Sequence, residues 1–269
     1  MPPSHTQTAP EDRIRFHHKL AYGAGAFVNN LLAAASGGMM IVLNLGLGMD
    51  PALVGFVSAL PRLVDAFIDP VMGFISDNTQ SRWGRRRPYI FGGAIASGIF
   101  FALLWQLPAG QSQTFYFVWF LVGLIVFYMG YTVFAAPWVG LGYELTPDYH
   151  ERTRLMGTQN FIGQLAYMAS PWFLWIMNSG YFFRDAAGEP DQVAGASGLA
   201  IVVGVMTIGL GILPAIFLRE RMQSVAAAEA AAAGKEGKGT GGGFTGRMRE
   251  FFSGFGETLR SRPFLKLCT

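Results

Sequence analysis

Apolar residues occur along this chain in long runs, not in the alternation of a strand or the narrow stripe of a soluble helix. Each run passes about twenty positions with few or no charges, which is the length that a helix needs to cross a bilayer. The pattern predicts an all-α, polytopic helical membrane protein. Six spans are expected, at residues 20–46, 52–76, 89–107, 115–142, 154–179 and 197–218.

The remaining segments are polar or of biased composition. Residues 1–19 form a polar lead, and residues 20–218 form one bundle of spans. Residues 219–246 are rich in Ala, Gly, Lys and Glu, which is typical of a flexible linker. In 247–262, phenylalanine and leucine recur at helical spacing among charged residues, and this predicts an amphipathic interfacial helix. Residues 263–269 begin another apolar run, so we expect a truncated seventh span there.

The basic residues are distributed asymmetrically. Of the twenty Lys and Arg residues, eighteen lie in the lead or after the second, fourth and sixth spans, while Arg62 lies in a span and Arg184 in an opposite loop. The positive-inside rule makes the basic side cytoplasmic, so both ends of the chain are expected there, in a multi-pass plasma (inner) membrane protein. This topology accounts for the net charge of +3. Membrane lipids are therefore predicted partners, and nucleic acid is not.

Three ionisable side chains lie inside the second span. Arg62, Asp65 and Asp69 occupy helical positions i, i+3 and i+7 and therefore share one face. Each charge costs on the order of 3 kcal/mol at mid-membrane, so this face must point to the bundle interior or to water. A structural ion pair is one interpretation. The other is a site for Na+ or H+, because one arginine leaves a surplus negative charge on two aspartates.

Other candidate chemistry is sparse. The single cysteine, Cys268, excludes an internal disulfide framework and a thiolate cluster within the chain. His150 has no second ligand at metal-binding spacing, so no metal site and no cofactor besides a coupling Na+ or H+ is expected. No constellation of a membrane-embedded enzyme is present either. An enzyme is therefore not predicted.

Three motifs resemble a known family. They are residues 65–79 (DAFIDPVMGFISDNT) with 81–88 (SRWGRRRP), residues 19–27 (KLAYGAGAF) and residues 143–154 (YELTPDYHERTR). Together and in this order they resemble the glycoside-pentoside-hexuronide:cation symporters of the major facilitator superfamily. The resemblance implies the six-helix N-terminal bundle of a twelve-helix fold, and hence a missing C-terminal half as a partner.

The resemblance also implies roles for particular residues. In relatives, the positions of Asp65 and Asp69 bind the coupling ion together with a threonine that matches Thr132. Ile68 stands where melibiose-transporting members have an amide, so proton coupling gains weight beside sodium. The sugar-binding acids of those members match Asn30 and Ala135 here. Binding of a melibiose-like galactoside is therefore not expected. The expected solute is another glycoside, a uronide or a lipid-like molecule.

Further polar and aromatic residues are candidates for two other sites. We expect a substrate cavity, although packing between helices is an equal interpretation for most of its candidates, and a gating loop, for which a positive-inside anchor is the alternative. The cavity candidates are Asn29, Asn30, Arg62, Tyr131, Trp138, Asn160 and Gln164, and the loop candidates are Gly73, Asp77, Arg82, Gly84, Arg85 and Arg86.

The sequence thus predicts half of a secondary transporter that couples a sugar, glycoside or related solute to Na+ or H+ by alternating access. The predicted partner is a small, sugar-like molecule. Two other functions stay open: transport of a lipid-like solute by the same superfamily, and a non-transporting scaffold or sensor. A scaffold would need no carboxylate pair inside the membrane.

Overall fold

The computed structural model describes residues 8–79, 81–108, 110–178, 183, 188 and 191–220. The chain divides into two compact units, residues 1–222 and 223–269. The described residues all belong to the first unit. The predictions for most of the linker (221–246), for the interfacial helix (247–262) and for the truncated span (263–269) lie outside the described residues.

The described residues form helices and contain no β-strand, which confirms the predicted all-α class. A single turn of 3-10 helix, Pro10–Asp12, precedes the first long helix. The α-helices are α1 (Phe16–Met39), α2 (Ile41–Leu45), α3 (Pro51–Asn78), α4 (Arg87–Leu104), α5 (Gln113–Glu144), α6 (Tyr149–Met168), α7 (Ser170–Asn178), α8 (Gln192–Gly211) and α9 (Leu213–Phe217).

Five segments among the described residues are long and apolar enough to cross a membrane: Phe16–Leu45, Pro51–Asn78, Arg87–Leu104, Gln113–Glu144 and Gln192–Phe217. They match five of the six predicted spans. The remaining prediction, 154–179, corresponds to α6 and α7, which are separate helices on either side of Ala169. α6 falls short of the apolar criterion because it carries polar residues, among them Arg154, Gln159, Asn160 and Gln164.

Side-chain caps fix where several helices begin. The carboxylate of Asp50 accepts the N–H of Ala52 at 2.8 Å at the start of α3. Asp148 accepts the N–H of Glu151 at 2.7 Å at the start of α6. A carboxylate in this position satisfies a helix N–H that has no partner inside the helix. Because Pro51 follows Asp50 directly, the start of α3 also has a residue whose ring favours the first helical position.

Small residues allow the spans to pack closely. α4 lies between α5 and α8, α1 packs on α6, and α3 packs on α5. A Cβ atom at Gly93 of α4 would stand 2.4 Å from the backbone nitrogen of Phe134 in α5. One at Gly98 would stand 2.6 Å from the carbonyl oxygen of Gly204 in α8. The absence of a side chain at these two α4 glycines therefore allows the close approach of the helices.

α3 is the least enclosed of the five apolar segments. Its buried residues are only Val57, Pro61, Met72 and Ser76. One broad face is open, with Phe67 73% exposed. The opposite face meets α5. Arg62, Asp65 and Asp69 therefore lie at the edge of the bundle, within reach of side chains from α5.

Candidate cation and solute site

The centre of the candidate site is a contact between α3 and α5. The hydroxyl of Thr132, which is fully buried in α5, donates a hydrogen bond to the carboxylate of Asp65. Asp65 itself is half-buried. The structure thus brings together two of the three residues predicted to couple the cation. A hydroxyl and a carboxylate at bonding distance provide two hard oxygen atoms at one point of the membrane interior.

Asp69, the third predicted residue, lies one turn further along α3. Its side chain is exposed, and it is near enough to Asp65 for the two carboxylates to interact electrostatically. Pro70 leaves one backbone carbonyl oxygen of α3 in this region without its usual hydrogen-bond donor. Because proline has no N–H, the carbonyl of Ala66 loses the donor that a regular helix would supply. Asp65, Asp69 and the Ala66 carbonyl are therefore neighbouring oxygen groups on one stretch of helix.

A cavity of about 250 Å³ adjoins Asp65. It brings together the predicted residues Arg62, Asp65 and Tyr131, whereas Ser36, Phe127 and Tyr128 were not predicted. A sequence signal for Tyr128 existed, since it stands one helical turn before both Tyr131 and Thr132. The cavity lies between three helices and is lined by Leu32, Ala33, Ser36, Arg62, Asp65, Phe127, Tyr128 and Tyr131.

A short chain of hydrogen bonds links the cavity to α1. The hydroxyl of Tyr131 donates to Oδ1 of Asn29 at 2.5 Å, and Nδ2 of Asn29 donates to Oδ1 of Asn30 at 3.2 Å. The amide of Asn30 in turn lies against Gly163 of α6, where a Cβ would be 2.7 Å from Nδ2. Both asparagines thus form part of the packing between helices, which was the alternative interpretation of them. Asn29 is held next to the cavity by Tyr131.

Trp138 lies away from this cavity. Its ring is 3% exposed, stacks on Tyr22 at a centroid distance of 5.1 Å, and donates from Nε1 to the carbonyl oxygen of Tyr22 at 3.2 Å. The ring packs between α5 and α1, and packing was the alternative to the predicted cavity-lining role. The reason is the small residue Gly25, which leaves room for the indole.

Asn160 and Gln164, two further cavity candidates, share one exposed face of α6 at i and i+4. They do not line the cavity beside Asp65. The buried face of α6 carries Leu155, Gly163 and Ala166 instead. The role of Asn160 and Gln164 in a substrate cavity therefore stays a prediction.

The arginine-rich loop after α3 forms a network of ion pairs. Nη2 of Arg86 lies 2.6 Å from Oδ1 of Asp77, and Nε of the same guanidinium donates to that oxygen at 2.9 Å. Arg85 pairs with Glu144 at the end of α5, and Nη1 of Arg86 lies 3.4 Å from the same carboxylate. Of the predicted loop residues, Asp77, Arg85 and Arg86 are thus brought together. Glu144 was missed as a partner, although it stands in a motif that we singled out.

The network also reaches the segment that follows α9. The carboxylate of Glu220 accepts the backbone N–H of Arg85 at 3.2 Å and of Arg86 at 2.7 Å. Gly84 makes this approach possible: its φ is +106°, and a Cβ would stand 3.2 Å from Glu220. The two other predicted loop residues are outside the network. Arg82 is exposed, and Gly73 has open space around its Cα.

A fully buried carboxylate, that of Glu151, also lies at this end of the bundle. Glu151 of α6 is fully buried and pairs with Nζ of Lys19 at 2.7 Å, while its Oε1 accepts the N–H of Ile14 at 3.1 Å. Burial opposes ionisation of Glu151, but the hydrogen bonds from Lys19 and Ile14 outweigh it and hold its pKa below the ordinary value. No local sequence pattern indicates this pairing, because Lys19 and Ile14 are more than a hundred residues away from Glu151 along the chain.

Comparison with known proteins identifies the family. Residues 21–268 match the model of the family described as MFS/sugar transport protein. The chain therefore belongs to this family of the major facilitator superfamily, whose members are transporters and not enzymes. This membership confirms the predicted family and the helical membrane fold, and it makes the chain part of a multi-pass membrane protein. Within the described ranges, no cluster of three or more His, Cys, Asp or Glu residues resembles a metal site.

Several curated relatives are similar over much of the chain. The uncharacterized symporter sll1374 of Synechocystis sp. is 31% identical over 80% of this chain and 40% of its own length. The isoprimeverose transporter of Lactiplantibacillus pentosus is 27% identical over 80% of this chain and 44% of its own length. The putative glycoside/cation symporter YagG of Escherichia coli is 26% identical over 61% of this chain and 34% of its length. The chain spans less than half the length of each.

Proposed function

We propose that this chain is the N-terminal half of a secondary transporter that couples uptake of a sugar-like solute to Na+ or H+. The hydrogen bond from Thr132 to Asp65 is the observation that carries the proposal. It marks an oxygen-rich point beside a cavity inside the membrane-spanning part of the chain. Relatives named as symporters or as sugar transporters support the same function.

The coupling site is formed by Asp65, Asp69 and Thr132. An ionisable residue inside a membrane is costly and marks an ion pathway by default. Two nearby carboxylates repel each other unless a cation or a proton lies between them. A bound ion therefore stabilises the arrangement in which α3 and α5 are held together. That conformational preference is what lets an ion gradient drive alternating access.

The gate is the ion-pair network at the arginine-rich end, which the positive-inside rule places in the cytoplasm together with both ends of the chain. Ion pairs of Arg86 with Asp77 and Glu144 connect the ends of α3 and α5. A hydrogen bond from the N–H of Arg86 to the carboxylate of Glu220 connects the segment after α9 to the same network. Such pairs hold one arrangement of helices until the bundle moves. The other half of the transporter would close the cavity from its open side.

Gradient-driven uptake tests this function. The complete protein, expressed from its full reading frame, is reconstituted in vesicles, and uptake of labelled glycosides is measured with and without an inward Na+ or pH gradient. We expect one of the gradients to accelerate uptake. Thr132→Val, which keeps the size of the side chain but removes the hydroxyl, should raise the ion concentration needed for half-maximal uptake about tenfold, the loss of one hydrogen bond to a charged group.

Thr158→Val is the matched control, because the hydroxyl of Thr158 donates to the backbone carbonyl of Arg154 within α6 and lies outside the cavity. Its ion dependence should equal that of the wild type. A rate of uptake that changes with neither gradient would refute the proposed coupling. Equal ion dependence of Thr132→Val and the wild type would remove Thr132 from the site.

Transport of a lipid-like solute is the second candidate function. The sodium-dependent lysophosphatidylcholine symporter 1 of Mus musculus is 28% identical over 53% of this chain and 28% of its own length. Competition in the same vesicles separates the two candidates. Glycosides should inhibit uptake of a labelled glycoside if the solute is sugar-like, whereas a lysophospholipid below its micellar concentration should inhibit only if the solute is lipid-like.

A further inference from the structure

We propose that the bundle holds a resident phospholipid with a primary amine in its headgroup, seated in a groove on the outer surface of α4 and α5. The groove has a volume of about 430 Å³ and is lined only by apolar side chains and one glycine, among them Phe115, Trp119, Val122 and Val126. Its one polar side-chain group, the indole N–H of Trp119, already donates to the carbonyl oxygen of Leu104 at 3.0 Å. The groove therefore offers its contacts to hydrocarbon.

The groove faces away from the cavity beside Asp65. Val118, Val122 and Val126 recur every fourth residue of α5 and share the face that lines the groove. Tyr128 and Tyr131 line the cavity, and the helical period places them on the far side of α5. The other half of the transporter would close the cavity, so it leaves the groove open to the bilayer. The molecule that covers an apolar groove there is a lipid.

The length of the groove matches the depth of one leaflet. On α5 the groove runs from Phe115, in the first turn of the helix, to Val126. A helix of that span rises about 16 Å, close to half of the roughly 30 Å thickness of the hydrocarbon core. On α4 the groove runs from Leu104, the last residue of the helix, back to Phe100. It thus begins at the end of the bundle opposite the arginine-rich loop and reaches the middle of the membrane, as one acyl chain does.

A polar cavity adjoins the groove at Trp119, which lines both. This cavity measures about 850 Å³ and is also lined by Gln106, Asp191 and Ser197. The hydroxyl of Ser197 in α8 donates to Oε1 of Gln106 after α4 at 2.7 Å, so a side-chain hydrogen bond joins the two helices at this wall. The polar cavity lies at the end of the bundle where the groove begins. A lipid with its acyl chain in the groove would have its headgroup there.

The charge of Asp191 determines which headgroup fits. Among the described residues that line the polar cavity, it is the one with a formal charge. Its Oδ1 accepts the N–H groups of Val193 at 3.0 Å and Ala194 at 2.9 Å as the cap of α8. A carboxylate has room for further donors, and the ammonium of an ethanolamine headgroup has three. A glycerol headgroup adds no positive charge to balance the carboxylate, so the site favours ethanolamine.

Photolabelling by two lipids that differ only in the headgroup tests the proposal. The complete protein is placed in nanodiscs with phosphatidylethanolamine or phosphatidylglycerol, each carrying the same acyl chain with a diazirine, and cross-linked residues are located by peptide mass spectrometry. We expect cross-links to concentrate in residues 100–104 and 115–126. They should be about threefold more abundant with phosphatidylethanolamine, the effect of one partly exposed ion pair. Added glycoside should not reduce them, because the lipid is not the transported solute.

Two pairs of variants test the two parts of the site separately. Val122→Trp fills the groove and should lower labelling at least about fivefold, since the acyl chain loses its apolar contacts. Val205→Trp is its control, because Val205 of α8 is similarly exposed, at 64% against 55% for Val122, and lies outside the groove. Asp191→Asn keeps a residue that caps α8 and should abolish the preference for ethanolamine. Asp50→Asn changes the cap of α3, outside the polar cavity, and should keep that preference.

Four outcomes overturn the proposal. Labelling spread evenly over the exposed helices would remove the site, and equal labelling of the wild type by the two lipids would remove the amine from it. Displacement of the label by glycoside would make the groove part of a solute site. Cross-links between two copies through α4 and α5, without lipid labelling, would make it a dimer interface. None of these readouts measures coupled uptake, so their failure leaves the proposed function intact.

Discussion

Removing the charge of Glu151 should destabilise the arginine-rich end of the bundle. This carboxylate is fully buried and joins three parts of the chain: Nζ of Lys19 lies at 2.7 Å, the N–H of Ile14 at 3.1 Å and Nη1 of Arg154 at 3.3 Å. Glu151→Gln keeps the shape of the side chain. It leaves the ammonium of Lys19, whose side chain is 14% exposed, without its anionic partner.

The size of the effect follows from burial. Breaking a buried ion pair by removing one partner costs about 3–5 kcal/mol, because the remaining charge is left uncompensated. Here a glutamine can still accept the N–H of Ile14, and Lys19 retains slight access to water. We therefore expect the lower end of that range, about 3 kcal/mol of unfolding free energy. The double variant Lys19→Gln/Glu151→Gln should lose less than the sum of the two single variants.

Unfolding of the complete protein by sodium dodecyl sulfate in mixed micelles measures this loss. Asp148→Asn is the matched control: it makes the same change from carboxylate to amide three residues away, and asparagine also caps a helix well. Its unfolding free energy should change by less than about 0.5 kcal/mol. Equal midpoints for Glu151→Gln, Asp148→Asn and the wild type would refute the view that this buried pair holds α6 to the N-terminal segment.

Three further outcomes are expected. Stability should fall as the pH drops below 4.5, because the lowered pKa of Glu151 means that the folded state prefers its charged form; acid unfolding should show this loss, reduced in Glu151→Gln. Gly93→Ala should destabilise by about 1–3 kcal/mol in the same detergent assay, since its Cβ would overlap the backbone of α5, whereas Gly92→Ala has open space and should not. Asp77→Asn should increase labelling of cysteines placed near the gate, and unchanged labelling would argue against its gating role.

The sequence predicted most of the fold because the bilayer leaves few alternatives. Long apolar runs in a membrane must be helices, so five spans could be found from length and composition alone. The predicted span 154–179 is two helices and is not among the five apolar segments, for a physical reason. In α6, a polar face with Asn160 and Gln164 lowers the mean hydropathy, and the chain then breaks at Ala169 into α7. A composition rule does not distinguish such a helix from a surface helix.

The candidate site could be predicted only in part. The helical spacing of Arg62, Asp65 and Asp69 placed them on one face, and the family resemblance brought Thr132 to them. Contacts between distant segments had no such signal. Glu220 bonds to the arginine loop from 134 and 135 residues away, a contact set by how α9 ends.

Trp138 shows the limit of reasoning from residue type. An indole is a suitable wall for a sugar cavity. The indole of Trp138 packs against α1 instead, where Gly25 leaves space for it. The sequence shows both residues, yet only the helix rotation decides which face each one occupies.

Ion binding to the purified complete protein tests the central claim most directly. Binding of radioactive sodium, and release of protons on addition of solute in weakly buffered solution, are measured for the wild type, for Asp65→Asn and for Asp50→Asn, whose amide still caps α3 at the opposite end of the helix. We predict that the wild type and Asp50→Asn bind the ion or exchange the proton, and that Asp65→Asn does neither. Ion binding by Asp65→Asn equal to that of the wild type would contradict the assignment of the coupling site to α3 and α5.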